Sequence, residues 1–240
     1  DVIADEAALA VLNRAGVGVL SEESGYNPGA SGEIVVIDPI DGSTNASRGI
    51  PWFATSLCLV DPDGPAVAVV VNQATGVRYS AERGGGAWCG ERRLRPSGCT
   101  ELSEAIVVVS AEPPPNVGWA QFRALGACAL DLCAVADGLV DGYVDFGDDQ
   151  HGVWDYLGGW LICREVGIEV VDAFDRGQVA VPAQRVQHRA RQADGIGVVL
   201  GQAFRRAGHP AVHLGAAELL VGGDLAGGGL EQRRAGEEGL

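Results

Sequence analysis

Lysine and methionine are absent from the 240-residue sequence, so all 17 of its basic side chains are arginines. Against 32 acidic residues, they leave a formal net charge of −15. Such a chain does not attract a polyphosphate backbone through bulk charge, so we expect no binding to nucleic acid. It can still bind an anionic substrate wherever metal ions invert the local field.

Cysteine is present, but not at the spacing of a metal site. None of the six cysteines belongs to a CxxC pair, and no histidines cluster beside them, which argues against a zinc centre. Several lie in apolar runs, where we expect reduced, buried thiols. No run of about 18 apolar residues marks a membrane span, and the first residues do not resemble a secretory leader. We therefore expect a cytoplasmic protein that does not bind membranes.

The apolar pattern predicts alternating helices and strands. Helices are expected over residues 2–15, 122–138, 154–166 and 201–207. Strands are expected over residues 17–20, 33–37, 55–60, 66–72, 77–82, 87–89, 105–110, 140–146 and 197–200. Residues 25–32 are predicted as a loop and the end from 222 as disordered. The polar stretch 95–104 is the expected boundary between an α+β half, 1–98, and an α/β half, 99–240.

Acidic residues stand at the ends of three of these elements. Glu22 and Glu23 follow the first strand, Asp38 and Asp41 follow the second, and Asp155 begins a helix. We interpret Glu23 as a surface charge. Paired carboxylates at a strand end are costly unless a cation neutralises them, and such hard oxygen ligands suit Mg²⁺.

The octapeptide over residues 38–45, DPIDGSTN, combines these acids with features that suit phosphate. Its strand is expected to end on Asp38, with proline fixing a turn. Gly42 lets the backbone approach a ligand closely, and Ser43 or Thr44 is expected to cap a helix whose N-terminus favours anions. From these residues alone a polar turn remains the alternative, because Asp-Pro and Asp-Gly are common turn dipeptides.

The octapeptide resembles the first signature of the inositol monophosphatase family, usually DPIDGTTN. Residues 154–159, WDYLGG, resemble the second signature, WDxAAG, and REVG over residues 164–167 resembles its continuation. SEES at 21–24 is similar to the family's GEES element, and VIAD at 2–5 to its TxAD element. The matches follow the family's order over roughly residues 2–175. The resemblance implies an α/β fold, the layered αβαβα sandwich of the sugar phosphatases, with the site between two halves.

The resemblance also implies roles for particular residues. Two or three Mg²⁺ ions would be held by the carboxylates of Glu22, Asp38, Asp41 and Asp155 and by the main-chain carbonyl of Ile40. Asp5 and Ser43 would position and deprotonate the attacking water. The backbone around Gly42, Ser43 and Thr44 would bind the phosphoryl group. Asp145 would bind substrate hydroxyls, with Asp148 as the alternative because three extra residues lie between 147 and 151.

The implied activity is Mg²⁺-dependent hydrolysis of a small phosphorylated polyol, with inositol 1-phosphate as the first substrate. Lithium inhibition and a homodimer are also implied. Fructose 1,6-bisphosphate, histidinol phosphate or an adenosine bisphosphate are alternative substrates, because the segment 111–121, part of the substrate rim, is shorter and richer in proline than in the family. The other alternative is a non-catalytic binding or regulatory member.

Overall fold

Four α-helices and one 3₁₀ turn belong to the part of the chain that the structure describes. The computed structural model describes residues 1–113, 115, 117–146, 151–171 and 198–200, with 171 and 198–200 described as backbone. Its α-helices are α1 (Val2–Ala15), α2 (Ser43–Arg48), α3 (Cys128–Ala136) and α4 (Val153–Glu165), and a 3₁₀ turn covers Leu102–Glu104. None of the described helices combines the length and hydropathy needed to cross a bilayer.

The first sheet has eight strands. They are β1 (Gly18–Ser21), β2 (Gly25–Asn27), β3 (Ile34–Asp41), β4 (Ala54–Asp61), β5 (Gly64–Asn72), β6 (Arg78–Glu82), β7 (Gly86–Cys89) and β8 (Arg92–Arg93). Their order is β2-β1-β3-β4-β5-β6-β7-β8. The β1–β3 pair is parallel and the others are antiparallel, because short turns connect most neighbours in sequence.

Alternation along β4 shows which face of this sheet is buried. Ala54, Ser56, Cys58 and Val60 point inward, and the residues between them are partly exposed. The inward face packs against α4, which contacts β3, β4, β5, β6 and β7. Helix α1 contacts β1 and β3, where Val19, Val35 and Ile37 are buried on the opposite face.

The second sheet has five described strands. They are β9 (Ile106–Ser110), β10 (Gln121–Arg123), β11 (Gly142–Asp145), β12 (Glu169–Val171) and β13 (Val198–Leu200), in the order β10-β9-β11-β13-β12. Strand β9 pairs in parallel with both β10 and β11, and β13 is antiparallel to β11 and β12. The carboxyl ends of β9 and β11 therefore meet at one edge of the sheet, where Asp145 lies opposite Ser110.

Helices α3 and α4 lie between the two sheets and pack closely on each other. A Cβ atom placed on Gly159 would lie 2.6 Å from Leu132 Cβ, so the two helices approach at a glycine. One apolar cluster contains residues from α3, α4 and both sheets. The layered α/β sandwich predicted from the motifs is confirmed, with α1, the first sheet, α3 with α4, and the second sheet as described layers. The boundary near residue 98 stays a prediction, and the helix predicted at 201–207 lies outside the described residues, as does the end from 222.

Several segments differ from the sequence-based expectation, among them β8 and β12, where no strand was predicted. Residues 25–32 were expected to be all loop, but Gly25–Asn27 forms β2, which pairs with β1. A single helix was expected over 122–138, but the chain first adds β10 to the edge of the second sheet. Gly126 then adopts a φ of 83°, and α3 begins two residues later. The apolar residues of β10 and α3 together fit the spacing of one helix, which is why the sequence pattern predicts a single helix here.

Candidate active site

An irregularity in β3 brings Asp38 and Asp41 to the same side. The prediction that the strand ends at Asp38 is wrong, because β3 continues to Asp41. Its register with β4 shifts between these two residues, around Pro39, which has no N–H for the ladder. In a regular strand, side chains three residues apart point to opposite faces. The register shift removes that alternation. Within the irregular part of β3, the Ile40 N–H donates to Asp38 Oδ1 at 2.9 Å.

Helix α2 starts immediately after this strand. Its N-cap is Gly42, with a φ of 83°, so the prediction that Ser43 or Thr44 caps the helix is wrong. The left-handed backbone and the close neighbours both require glycine, since a Cβ atom there would lie 3.0 Å from Gly126 O. Ser43 and Thr44 are exposed in the first turn of α2. The backbone N–H groups expected to face a phosphate thus begin beside Asp41.

Asp155 comes from α4, at the third position of the helix. It accepts a hydrogen bond of 2.6 Å from the Gly152 N–H, so it caps the helix as well as facing the cluster. Potential ligand oxygens of Asp38, Asp41 and Asp155 all lie within 4.8 Å of one another. Two adjacent elements of the fold, β3 and α4, therefore supply the three carboxylates that the motifs single out.

These acids perturb one another because the cluster is shielded from water. Burial raises the pKa of Asp38 to about 9, and the charges of Asp41, Glu22 and Asp155 add to the effect. Burial and the charge of Asp155 raise the pKa of Asp41, and burial followed by the charge of Glu22 raises that of Asp155 to about 7. Without a compensating charge, the carboxyls cannot all be ionised near neutral pH.

Glu22 extends the cluster from the end of β1. Burial raises the pKa of its carboxyl, a hydrogen bond with Asp38 lowers it, and the Glu23 charge raises it. The Glu22 side chain therefore approaches Asp38. The donor set of hard carboxylate oxygens, together with its uncompensated negative charge, fits a divalent cation such as Mg²⁺.

Asp41 also joins the cluster to the second half of the chain. Its Oδ1 accepts from the Cys128 N–H at 3.1 Å, and its Oδ2 accepts from the Ala129 N–H at 2.7 Å. These are free N–H groups in the first turn of α3, where a carboxylate is favoured by the helix dipole. This contact is not predictable from local sequence pattern, because the partners are almost ninety residues apart.

Asp5 lies on α1 and is almost fully buried. Its Oδ1 accepts a hydrogen bond of 2.5 Å from the Ser21 hydroxyl. Within the part of the chain that the structure describes, no hydrogen bond joins Asp5 to Ser43, the partner that the resemblance implied. Ser21 stands where the family element has glycine, so only the extra hydroxyl in SEES could have signalled this contact.

Asp145 lies at the end of β11 and is buried. His151 stands between it and the acid cluster, with Nε2 3.7 Å from Asp145 Oδ2 and Nδ1 3.9 Å from Asp155 Oδ1. His151 Nε2 also lies 3.1 Å from the Tyr143 hydroxyl. Burial lowers the pKa of His151, and the charge of Asp145 opposes that shift. Asp148, the alternative to Asp145, lies outside the described residues.

Comparisons with known proteins agree with this geometry. A model of the inositol monophosphatase family matches residues 3–196. An inositol-1-monophosphatase of Mesorhizobium japonicum is 34% identical over 195 residues, which are 73% of this chain and 71% of that protein. A fructose-1,6-bisphosphatase/inositol-1-monophosphatase of Archaeoglobus fulgidus is 34% identical over 177 residues, 72% of this chain and 68% of that protein.

The fold has the same relatives. The crystal structure of the extragenic suppressor protein SuhB from Bartonella henselae superposes with a TM-score of 0.73 at 27% identity, covering 90% of this chain and 83% of that one. The family resemblance stated from the motifs is confirmed.

Proposed function

Because the chain belongs to the inositol monophosphatase family and is a phosphatase of that family, we propose that it hydrolyses a small phosphorylated polyol, with inositol 1-phosphate as the leading substrate. The observation that carries the proposal is the convergence of Asp38, Asp41 and Asp155 within 4.8 Å. A buried triple-acid cluster of this kind is stable at neutral pH when a cation offsets its charge.

The metal ligands in this proposal come from three elements. Glu22 after β1, Asp38, Asp41 and the Ile40 carbonyl on β3, and Asp155 on α4 would together hold two or three Mg²⁺ ions. Bound Mg²⁺ supplies Lewis acidity and positive charge opposite the phosphoryl oxygens. The hydrogen bonds that orient Asp41 and Asp155 come from backbone N–H groups, so both carboxylates are held in place before a cation binds.

The remaining residues would bind and orient the reactants. Asp5 would accept the proton of the attacking water, with Ser43 holding that water in line. Because Ser21 donates to Asp5 Oδ1, the other oxygen, Oδ2, is the proposed acceptor. Backbone N–H groups from Gly42 to Thr44 would bind the phosphoryl oxygens, and Asp145 the substrate hydroxyls.

The test is phosphate release from inositol 1-phosphate with Mg²⁺, with EDTA, and with Mg²⁺ plus Li⁺. We expect Mg²⁺-dependent release that lithium suppresses. Folded protein that releases no phosphate from this or any other phosphomonoester would contradict the proposal and favour a non-catalytic binding or regulatory role.

A paired variant tests the metal assignment directly. Asp41→Asn is expected to lower the rate by more than the ~10–100-fold that loss of an outer ligand partner costs, because it removes a ligand itself. The matched control is Asp63→Asn, an exposed acid in the β4–β5 turn, whose rate should equal that of the wild type. Full turnover by Asp41→Asn would rule out the assigned ligand.

Fructose 1,6-bisphosphate is the second candidate substrate, since the Archaeoglobus fulgidus relative carries both activities in its name. Parallel assays with this ester and with histidinol phosphate and an adenosine bisphosphate rank the candidates by kcat/KM. We further propose a cytoplasmic homodimer that does not bind nucleic acid. Light scattering at several protein concentrations and a gel shift with mixed nucleic acid test those properties.

A further inference from the structure

The partly buried Trp52 and the buried Asp131 are hydrogen-bond partners that lie 79 positions apart in the sequence. The Trp52 indole N–H donates to Asp131 Oδ1 at 2.7 Å. Asp131 belongs to the first turn of α3 and is 2% exposed, a costly place for a carboxylate in a helix that is otherwise apolar. The proposed chemistry does not use either residue, so their contact needs a separate explanation.

Asp131 also ties down the helix terminus to which Asp41 binds. Its backbone N–H donates to the Ala127 carbonyl at 2.9 Å and so closes the first turn of α3. The N–H groups of Cys128 and Ala129, in the same turn, hold the Asp41 carboxylate.

Trp52 fastens the other side of the same junction. Its carbonyl oxygen accepts from Asn45 Nδ2 at 2.7 Å, and the same amide donates to the Leu125 carbonyl at 2.7 Å. Gly42 is enclosed here, since a Cβ atom on it would lie 3.1 Å from Trp52 O and 3.0 Å from Ala127 Cβ. The segment from α2 to β4 and the start of α3 thus contact each other on both sides of Asp41.

We propose that the Trp52–Asp131 hydrogen bond is a brace that positions Asp41 for Mg²⁺, making both members positioning residues. The brace fixes the α3 N-terminus against the loop between α2 and β4. The two N–H groups then orient the Asp41 oxygens before a cation arrives. Without the brace, Asp41 keeps its chemistry but loses its fixed direction, so Mg²⁺ binds more weakly. This inference rests on the proposed Mg²⁺ site, although it does not depend on turnover.

Trp52→Phe tests the brace, because it removes the indole N–H and keeps an aromatic ring in place. Isothermal titration calorimetry with MgCl₂ measures binding whether or not the protein turns over substrate. We expect Mg²⁺ affinity about tenfold weaker than in the wild type, the scale of an outer partner of a metal ligand. The matched control, Trp88→Phe, changes a partly exposed tryptophan that stacks under Arg93, and its Mg²⁺ affinity should equal that of the wild type.

A double-mutant cycle separates the brace from a general loss of stability. Asp131→Ala alone should weaken Mg²⁺ binding about as much as Trp52→Phe alone. The double variant should weaken it no further, because the same hydrogen bond is lost in all three proteins. Independent, additive losses, or wild-type affinity in Trp52→Phe, would overturn the proposal. Should Trp52→Phe fail to fold, Asp131→Ala and Asp131→Asn decide, because only the asparagine keeps an oxygen that accepts from the indole. A tenfold loss of Mg²⁺ affinity in Asp131→Ala with wild-type affinity in Asp131→Asn supports the brace, and equal affinity in the two variants overturns it.

The same titration distinguishes the two levels of the proposal. Wild-type protein that binds no Mg²⁺ contradicts the proposed function itself. Wild-type protein that binds Mg²⁺ beside an equally strong Trp52→Phe variant contradicts the brace alone. Phosphate release at a series of Mg²⁺ concentrations adds an independent reading, because loss of the brace should raise the Mg²⁺ required for half-maximal rate more than the KM of the substrate.

Discussion

The Ser21 hydroxyl donates a hydrogen bond to the Asp5 carboxylate across the contact between α1 and β1, and both residues are buried. Helix α1 is amphipathic only weakly and buries little else besides Asp5. The hydrogen bond is therefore a main specific attachment of α1 to the first sheet. It also sets which Asp5 oxygen remains for the proposed proton transfer.

We predict that Ser21→Ala lowers the free energy of unfolding by about 1–3 kcal/mol, because it leaves the buried Asp5 carboxylate without its hydroxyl donor. Urea unfolding followed by circular dichroism measures the change. Ser103→Ala is the matched control, since this serine is exposed in the 3₁₀ turn. Equal stability of the two variants would mean that the Ser21 hydroxyl contributes nothing to the attachment.

The acid cluster predicts a pH-dependent stability that Mg²⁺ should remove. In the metal-free protein, burial raises the pKa of Asp155 to about 7 and that of Asp38 to about 9, from ordinary values near 4 in the unfolded chain. The native state then binds more protons than the unfolded state between these limits. The contribution of these two carboxyls to the free energy of unfolding is therefore fully present below about pH 4. It is lost as the pH rises towards 9, by at most about 1.4 kcal/mol per pH unit for each group.

Thermal unfolding with EDTA at pH 6, 7, 8 and 9 checks this sign, with parallel scans at saturating MgCl₂. We expect Tm to decrease with pH in EDTA and to stay nearly level with Mg²⁺, which favours the ionised cluster. The control is the Asp38→Asn variant, whose Tm should depend less on pH. A Tm that rises from pH 6 to 9 in EDTA would contradict the proposed charge balance.

Sequence reasoning located the acids and their elements because both depend on local pattern. A β-branched run indicated the strand that carries Asp38 and Asp41, although β3 extends further than expected and includes both residues. The tryptophan motif indicated the helix whose first turn contains Asp155. The register shift within β3 was not predictable. The shift depends on how the backbone at Pro39 pairs with the neighbouring strand β4. The spacing of residues within one segment does not determine how that segment pairs with another.

Contacts between distant residues account for the rest. Asp131 is the single acidic residue in an apolar run, CALDLCAVA. Such an acid suggests a specific role, but the sequence does not indicate its partner. Trp52 follows a proline in a turn. Only the packing of α3 against the loop between α2 and β4 joins them.

The close packing of α3 on α4 yields a prediction about stability. Gly159→Ala would place its Cβ 2.6 Å from Leu132 Cβ and 3.2 Å from the Ala129 carbonyl, so the helices must separate. We expect a loss of about 1–3 kcal/mol in the free energy of unfolding, despite the higher helix propensity of alanine.

Gly32→Ala is the control for that change, because nothing lies within 4 Å of its added Cβ and its backbone is not left-handed. Its free energy of unfolding should stay within about 0.5 kcal/mol of the wild type. Guanidinium unfolding of both variants supplies the comparison. A Gly159→Ala protein as stable as the Gly32→Ala protein would show that α3 and α4 are spaced more widely than the structure has them.

Asp145 yields the prediction that separates substrate recognition from catalysis. If its carboxylate binds polyol hydroxyls, Asp145→Asn removes a charge-assisted hydrogen bond, which contributes roughly 1.5–3 kcal/mol. We therefore expect kcat/KM for inositol 1-phosphate to fall by about ten- to a hundredfold. Hydrolysis of p-nitrophenyl phosphate, which offers no hydroxyl, should be unchanged and serves as the internal control.

The pattern across the two substrates decides between two roles. Equal losses on both would mean that Asp145 acts through its neighbours, His151 and Asp155, and therefore supports the metal site. No loss on either, with a selective loss in Asp148→Asn, would transfer hydroxyl recognition to the alternative acid. A loss on inositol 1-phosphate alone in Asp145→Asn assigns hydroxyl recognition to Asp145. This residue lies at the end of β11, at the edge of the second sheet and beside the acids of the first sheet.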